Sequence, residues 1–173
     1  MNIIPEYWND PNIIHLNDKK PKSYFIPFSI KENIFDLKRE ESDRLTLLNG
    51  LWNFKYFDTV QDITEEFYYE KEFSSWDKMN IPGMWQTNGY GTYAYVSSPY
   101  PMMFRPPYIP QNNPAAIYSY EFDFLIKNDK EYDIVFEGVD SCLYLWINGY
   151  FVGYSEVSHC EKVFDITKYL VNG

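Results

Sequence analysis

Several short stretches of the chain alternate between apolar and polar residues, and this pattern is typical of β-strands with one buried face. Turn-forming Asn-Gly, Gly and Pro residues separate the stretches, and no sustained helical period runs through the sequence. The predicted strands lie at residues 51–57, 76–83 (a turn and a short strand), 118–124, 132–136, 143–147, 150–154 and 163–167 (a short strand or a turn). Segment 63–73 could be a short acidic helix or a loop. The pattern predicts an all-β sandwich or jelly roll.

The clearest single element is a β-hairpin formed by the strands 143–147 and 150–154. Asn148-Gly149 lies between them, and Asn-Gly accepts the positive φ angles that a type I′ turn needs at both central residues. Gly138 and Gly153 flank the hairpin. Each is predicted to be a β-bulge or a point of close approach, because glycine inside a strand pattern commonly marks one or the other.

Two predicted strands carry rows of aromatic residues on a single face. The first row is Trp52, Phe54 and Tyr56, and the second is Tyr118, Tyr120, Phe122 and Phe124. Aromatic residues make up 20% of the chain, and Tyr and Trp are common where sugars or protein partners bind. Because these aromatics occupy alternating strand positions, core packing is the favoured interpretation over a sugar-binding platform.

Residues 1–45 show no regular period, and their prolines interrupt any helix. They are too apolar for a free tail, so we predict an extended arm that lies on another surface, with disorder as the alternative. The charge run at 38–44 marks the boundary. Residues 46–173 form the predicted β-domain, and the turn signal at its end points to a further strand. We therefore expect an incomplete domain and a fragment of a longer protein.

The net charge of −10 disfavours nucleic acid and anionic membranes as partners, because both require a basic surface. A neutral ligand such as a sugar fits this charge better. The N-terminal residues lack the features of a signal peptide, and no stretch is long and apolar enough to span a membrane. A cytoplasmic location is the expectation.

The residues alone do not indicate catalysis. His15 and His159 are far apart and lack neighbouring ligands at metal spacing, so no metal site is predicted. Cys142 is predicted to be a buried thiol. The carboxylates of segment 65–72 lie in a charged stretch typical of a surface, and nothing singles out a catalytic pair. The long aromatic loop at 82–114 is predicted to be functional or interfacial.

A series of landmarks nevertheless occurs in an order that resembles a known family. They are Trp8-Asn9-Asp10-Pro11, Asn49-Gly50-Leu51-Trp52, Ile81-Pro82-Gly83-Met84-Trp85-Gln86, Pro106-Pro107-Tyr108-Ile109-Pro110, Asn113-Pro114, Trp146-Ile147-Asn148-Gly149 and Phe164-Asp165-Ile166-Thr167. Over essentially the whole chain, this order is similar to the N-terminal, galactose-binding-like jelly roll of glycoside hydrolase family 2 β-galactosidases. The Asn9-Asp10-Pro11 segment near the start and the Pro-Pro-x-x-Pro loop favour that branch over β-glucuronidases and β-mannosidases, which remain alternatives.

The resemblance implies a larger, retaining enzyme that hydrolyses terminal β-D-galactose residues in β-galactosides such as lactose. Its TIM barrel would carry both catalytic glutamates and the metal ligands beyond residue 173, and immunoglobulin-like domains would be further partners. Mg and Na are possible cofactors of the full-length enzyme, and the parent is expected to be a homo-oligomer. This chain alone is expected to be inactive.

One substrate contact of the family falls inside this chain. The family's loop pattern, Tyr-Thr-Asn-Val-x-Tyr-Pro, contains an Asn that touches galactose, and Ser97 stands at that position here. The resemblance thus implies that Ser97 or Ser98 lines the sugar pocket, whereas a turn serine before Pro99 is the structural alternative. An autonomous carbohydrate-binding module and an assembly element, whose arm docks on a neighbouring domain or subunit, are the other functional alternatives.

Overall fold

The computed structural model describes residues 3–29, 34–64, 66–93, 105–110, 113–127 and 129–173. The strands are β1 (His15–Leu16), β2 (Gly50–Phe57), β3 (Asp77–Ile81), β4 (Ala115–Ser119), β5 (Asp133–Phe136), β6 (Leu143–Ile147), β7 (Tyr150–Ser155) and β8 (Lys162–Asp165). Single 3₁₀ turns occur at Glu6–Asn9, Ile34–Asp36, Arg39–Glu41, Val60–Asp62, Phe67–Tyr69, Gln86–Asn88 and Thr167–Tyr169. No α-helix occurs in these ranges, so none of their helices could cross a bilayer.

The strands form three antiparallel sheets with the orders β1-β7-β6, β3-β2-β4 and β5-β8. This architecture confirms the all-β prediction and fits a sandwich of the jelly-roll type. The predicted strands that became β2, β3, β5, β6, β7 and β8 are all present within a few residues of their expected bounds. The division of the chain near residue 45 stays a prediction.

Two predictions along the chain need correction or completion. The strand predicted at 118–124 ends as β4 at Ser119, which pairs with Asn53 of β2. Beyond it, the ring of Tyr120 stacks on Trp52 at 5.0 Å, while Phe124 exchanges backbone hydrogen bonds with Gly173 instead of β2. The aromatic alternation therefore continues where the backbone ladder to β2 has ended. Segment 63–73, left open between helix and loop, contains one 3₁₀ turn in its described part.

Strand β6 contributes its two faces to two different hydrophobic clusters. The first cluster has Leu145, Val152, Phe164 and Ile166 at its centre, with Leu143 and Ile147 packed against it. The second cluster has Ile4, Ile63 and Ile117 at its centre, with Tyr144 and Trp146 packed against it. Odd-numbered β6 residues thus enter one cluster and even-numbered residues the other, as the alternation of side chains along a strand requires.

The hairpin turn has the predicted geometry. Asn148 and Gly149 have φ angles of 50° and 83°, which confirms positive φ at both central residues. The predicted close approach is confirmed at Gly153, where an added Cβ would lie 2.5 Å from the Leu16 carbonyl oxygen and 2.6 Å from the Phe164 ring. It is wrong at Gly138, where an added Cβ would meet no atom within 4 Å.

The N-terminal arm lies on the chain's own sandwich. Strand β1 pairs with β7, and Asp18 then forms a bridge to Phe164 of β8. The Lys19 N–H also donates to the carbonyl of Val163 at 2.7 Å. Through these bonds, residues 15–19 connect the hairpin to the β5–β8 pair. No sequence period predicted β1, because it is two residues long and its partner is far along the chain.

The first turn of the arm is held by one tyrosine. The Tyr144 hydroxyl accepts a hydrogen bond from the Trp8 N–H at 3.1 Å and donates one to the Pro5 carbonyl at 2.7 Å. The ring of Tyr144 also stacks on Tyr7 at 6.0 Å with an interplanar angle of 9°. Further out, Lys19 and Arg39 form ion pairs with Asp133 and Glu137 at 2.5 and 2.6 Å. The arm is therefore fixed by hydrogen bonds, ring contacts and charge.

We expect Gly153→Ala to destabilise the chain by about 1–3 kcal/mol, because the new methyl group would overlap the Leu16 carbonyl and the Phe164 ring. Urea unfolding followed by tryptophan fluorescence would measure this loss. Gly138→Ala is the matched control and should leave the unfolding midpoint nearly unchanged. Equal effects of the two substitutions would contradict the close packing of β7 against the arm and β8.

Tyr144→Phe should also lower stability, by about 1–3 kcal/mol, since the Trp8 N–H and the Pro5 carbonyl would both lose their partner. Limited proteolysis within the arm should become faster in this variant, and unfolding experiments would give the free-energy change. Tyr150→Phe provides the control, because Tyr150 is exposed. An arm that resists proteolysis equally in both variants would show that Tyr144 does not hold it.

Candidate functional site

The residues predicted to touch the sugar, Ser97 and Ser98, lie outside the described residues. Their role in the sugar pocket therefore stays a prediction. The described parts of their loop are 82–93, 105–110 and 113–114. These parts show how the loop is attached to the sandwich.

The N-terminal base of the loop is packed against strand β2. The Tyr90 ring meets Phe54 edge-on at 4.8 Å and Tyr56 at 5.8 Å, and Trp85 meets Tyr56 at 5.7 Å. An added Cβ at Gly91 would lie 2.9 Å from the Tyr56 hydroxyl, so a glycine is needed at this crossing. The sequence predicted that Phe54 and Tyr56 lie on one face of a strand. In the structure, the two rings of this face pack against Trp85 and Tyr90 at the N-terminal base of the loop.

The hydroxyl groups at this base remain protonated. A hydrogen bond to the Asp77 side chain, followed by desolvation, raises the pKa of Tyr90. Burial raises the pKa of Tyr56, with the charge of Asp58 acting in the same direction. Tyr90 therefore acts here as a hydrogen-bonding and packing group and Tyr56 as a packing group.

Among the described residues, no three His, Cys, Asp or Glu side chains come together in a way that could hold a metal ion. The two histidines lie in separate pairs, His15 with Asp18 at 2.8 Å and His159 with Asp140 at 3.8 Å. Glu66, Glu70 and Glu72 are exposed, as predicted for a surface stretch. A hollow between the arm and the Val60–Asp62 turn is lined by Ile3, Ile4, Trp8, Val60, Gln61 and Ile63, which include no carboxylate.

Cys142 lies close to a buried group of hydroxyls beside the arm. Desolvation raises the pKa of this thiol to about 11, against a hydrogen bond with Tyr154 that lowers it. The Tyr154 hydroxyl donates to Glu156 at 2.5 Å, and burial raises the pKa of Tyr154 far above its ordinary value. Because the thiolate is the nucleophilic form, Cys142 has the properties of a structural thiol at neutral pH.

The second aromatic row does not form a sugar-binding platform. Tyr120 stacks on Trp52 with an interplanar angle of 17° and on Phe122 with an angle of 20°. Phe124 in turn meets Phe122 and Tyr132 edge-on, at 6.0 and 4.9 Å. These rings cover one another, whereas a sugar would need an open ring face. The row therefore serves packing, as its alternating positions indicate.

Comparison with known proteins identifies the family. The family model described as "Glycosyl hydrolases family 2, sugar binding domain" matches residues 45–173. A β-galactosidase of Actinobacillus pleuropneumoniae is 40% identical over 171 residues, which are 99% of this chain and 17% of that enzyme. β-Galactosidases of Staphylococcus xylosus and Pseudoalteromonas haloplanktis are 32% and 34% identical over 171 residues each, at 97% and 96% of this chain.

The chain spans only 17% and 16% of the length of the latter two relatives. The matched region begins at Leu45 and includes the base of the aromatic loop, the β6–β7 hairpin and β8. The landmark order in the sequence, the antiparallel β architecture and the family match all agree. The chain therefore belongs to glycosyl hydrolase family 2, and its residues 45–173 correspond to the domain that the family model describes.

Proposed function

We propose that this chain is the non-catalytic N-terminal domain of a retaining β-galactosidase that hydrolyses terminal β-D-galactose residues in β-galactosides such as lactose. The observation that carries the proposal is the 40% identity to a β-galactosidase over 99% of the chain. The relatives are several times longer, so the catalytic residues are assigned to the remaining domains. The domain would support the active site and the assembly of the enzyme.

The aromatic loop is the part of the domain that we assign to the active site. Its base is fixed to β2 by Trp85 and Tyr90, so the segment carrying Ser97 and Ser98 starts from a rigid anchor. A serine hydroxyl can both donate and accept a hydrogen bond to a sugar hydroxyl. In the proposed enzyme, one of these serines contacts galactose.

Catalysis and metal binding are assigned to other domains. A retaining glycosidase needs two carboxyl groups about 5–5.5 Å apart across the sugar. We place both glutamates on a TIM barrel that adjoins this domain together with immunoglobulin-like domains. No three His, Cys, Asp or Glu side chains of the described residues come together in a way that could hold a metal ion, and we assign Mg and Na to the rest of the enzyme. We further propose a cytoplasmic, homo-oligomeric parent.

The isolated 173-residue chain should show no hydrolysis of o-nitrophenyl-β-D-galactoside above the uncatalysed rate. Turnover that persists after repeated purification would contradict the assignment of the glutamates to other domains.

Titration with galactose and lactose tests the alternative of an autonomous carbohydrate-binding module. Affinity in the millimolar range or tighter would favour that module, and its absence is expected because the described aromatic row covers its own ring faces.

A chimaera tests the domain assignment directly. The segment of the Actinobacillus pleuropneumoniae β-galactosidase that matches this chain is replaced by residues 1–173, and hydrolysis of the same galactoside is measured. We expect an active enzyme, because the two segments are 40% identical over nearly their whole length. Replacing Ser97 and Ser98 by Ala should then raise KM about 3- to 10-fold, since one sugar hydrogen bond is lost. Ser74→Ala and Ser75→Ala, at exposed positions in the turn before β3, are the matched control.

A further inference from the structure

Two exposed tyrosines flank the tip of the β6–β7 hairpin, Tyr150 at the start of β7 and Tyr69 in the Phe67–Tyr69 turn. We call Tyr69, Asn148, Gly149 and Tyr150 the hairpin ridge. Tyr69 and Tyr150 each expose 65% of their surface, although their neighbours are well packed. Large aromatic side chains that remain exposed on a folded surface commonly mark a binding site.

On one face, Tyr69 is placed by the turn itself. An added Cβ at Gly149 would lie 2.8 Å from the Tyr69 ring, so this ring rests directly on the turn backbone. Tyr69 also meets Tyr68 at 4.8 Å, and Tyr68 lies parallel to Trp146 at 6.1 Å. The exposed ring is thus connected to the second hydrophobic cluster through two aromatic contacts.

The opposite face is fixed by the C-terminal 3₁₀ turn. The Tyr150 ring lies 6.4 Å from the Tyr169 ring, and Asn148 Nδ2 donates to the Tyr169 carbonyl at 2.8 Å. Tyr169 itself packs against the first hydrophobic cluster. The ridge is therefore held from both sides before any partner binds, which reduces the conformational entropy lost on binding.

The shape and composition of the ridge favour a protein groove as its partner. Tyr69 and Tyr150 lie on opposite sides of the turn, so they form a convex edge and cannot offer one flat platform to a sugar ring. Exposed tyrosines are enriched at the centres of protein interfaces, where their rigid rings bury a large area. Since this chain covers only 17% of the Actinobacillus pleuropneumoniae relative, most of such a protein is available to cover the ridge.

We propose that the hairpin ridge inserts into a groove on another domain of the same longer polypeptide and fixes the orientation of the jelly roll. The inference depends on the proposed function, because it requires such a polypeptide. It adds a contact at the hairpin end, which is separate in sequence from the aromatic loop that we assign to the sugar. The ridge would act by positioning the domain and would not touch the substrate.

The test compares Tyr69→Ser/Tyr150→Ser in the active chimaera and in the isolated chain. In the chimaera, we expect the half-life of thermal inactivation to fall about tenfold, since two interface aromatics are lost. In the isolated chain, the same pair should lower the urea midpoint only modestly, because both tyrosines are 65% exposed and lose only their contacts with Tyr68, Tyr169 and the turn. Phe35→Ser is the control in both proteins, because Phe35 is 97% exposed and lies outside both the ridge and the aromatic loop.

The outcomes separate this inference from the proposed function. An inactive parent chimaera would contradict the proposed function before the ridge is tested. An active chimaera whose half-life is unaffected by the ridge substitutions, or is equally affected by Phe35→Ser, would overturn the ridge contact alone. A dimer of the isolated chain that dissociates when the ridge is substituted would also overturn it, because the partner would then be a second copy. Saturable galactose binding lost in the same variant would identify the ridge as a sugar site instead.

Discussion

Burial of strand β6 on both faces is the constraint on which the rest of the structure depends. Its odd-numbered residues join the cluster around Phe164, and its even-numbered residues join the cluster around Ile117. A strand that is covered on both sides has little freedom in register, because a shift by one residue would exchange every side chain between the two clusters. The Asn148-Gly149 turn then fixes β7 relative to β6. The position of the hairpin ridge is fixed as well, because the ridge includes this turn.

The alternation of residues predicted most of this fold, because strands and tight turns depend on local chemistry. The hairpin, its turn angles and the close approach at Gly153 could all be inferred from the sequence around them. Strand β1 could not, because its two residues acquire their conformation only from β7 and β8. Tyr120–Phe124 shows the opposite failure, where aromatic alternation continues but the backbone pairing with β2 ends at Ser119, although Trp52 of β2 still stacks on Tyr120.

Less of the candidate functional site than of the fold could be predicted from the sequence. The length and aromatic content of the loop at 82–114 indicated a functional or interfacial role, and the structure adds that Tyr56 and Gly91 lie at the anchor of its described base. The function, by contrast, was carried by the order of landmarks and then by the family match, since no described cluster of side chains performs chemistry. This is expected for a domain whose role depends on surfaces completed by the remainder of a larger protein.

The long sequence separation between the arm and its partner affects how the chain folds during synthesis. Pro5 and Tyr144, which hold each other, are separated by 139 residues. At about 5–20 residues per second, a ribosome needs roughly 7–28 s to synthesise the chain from Pro5 to Tyr144. During that time the apolar residues of the arm have no native partner, so they are a natural binding site for a nascent-chain chaperone. The arm, which is synthesised first, would then be the last part of the chain to reach its native position.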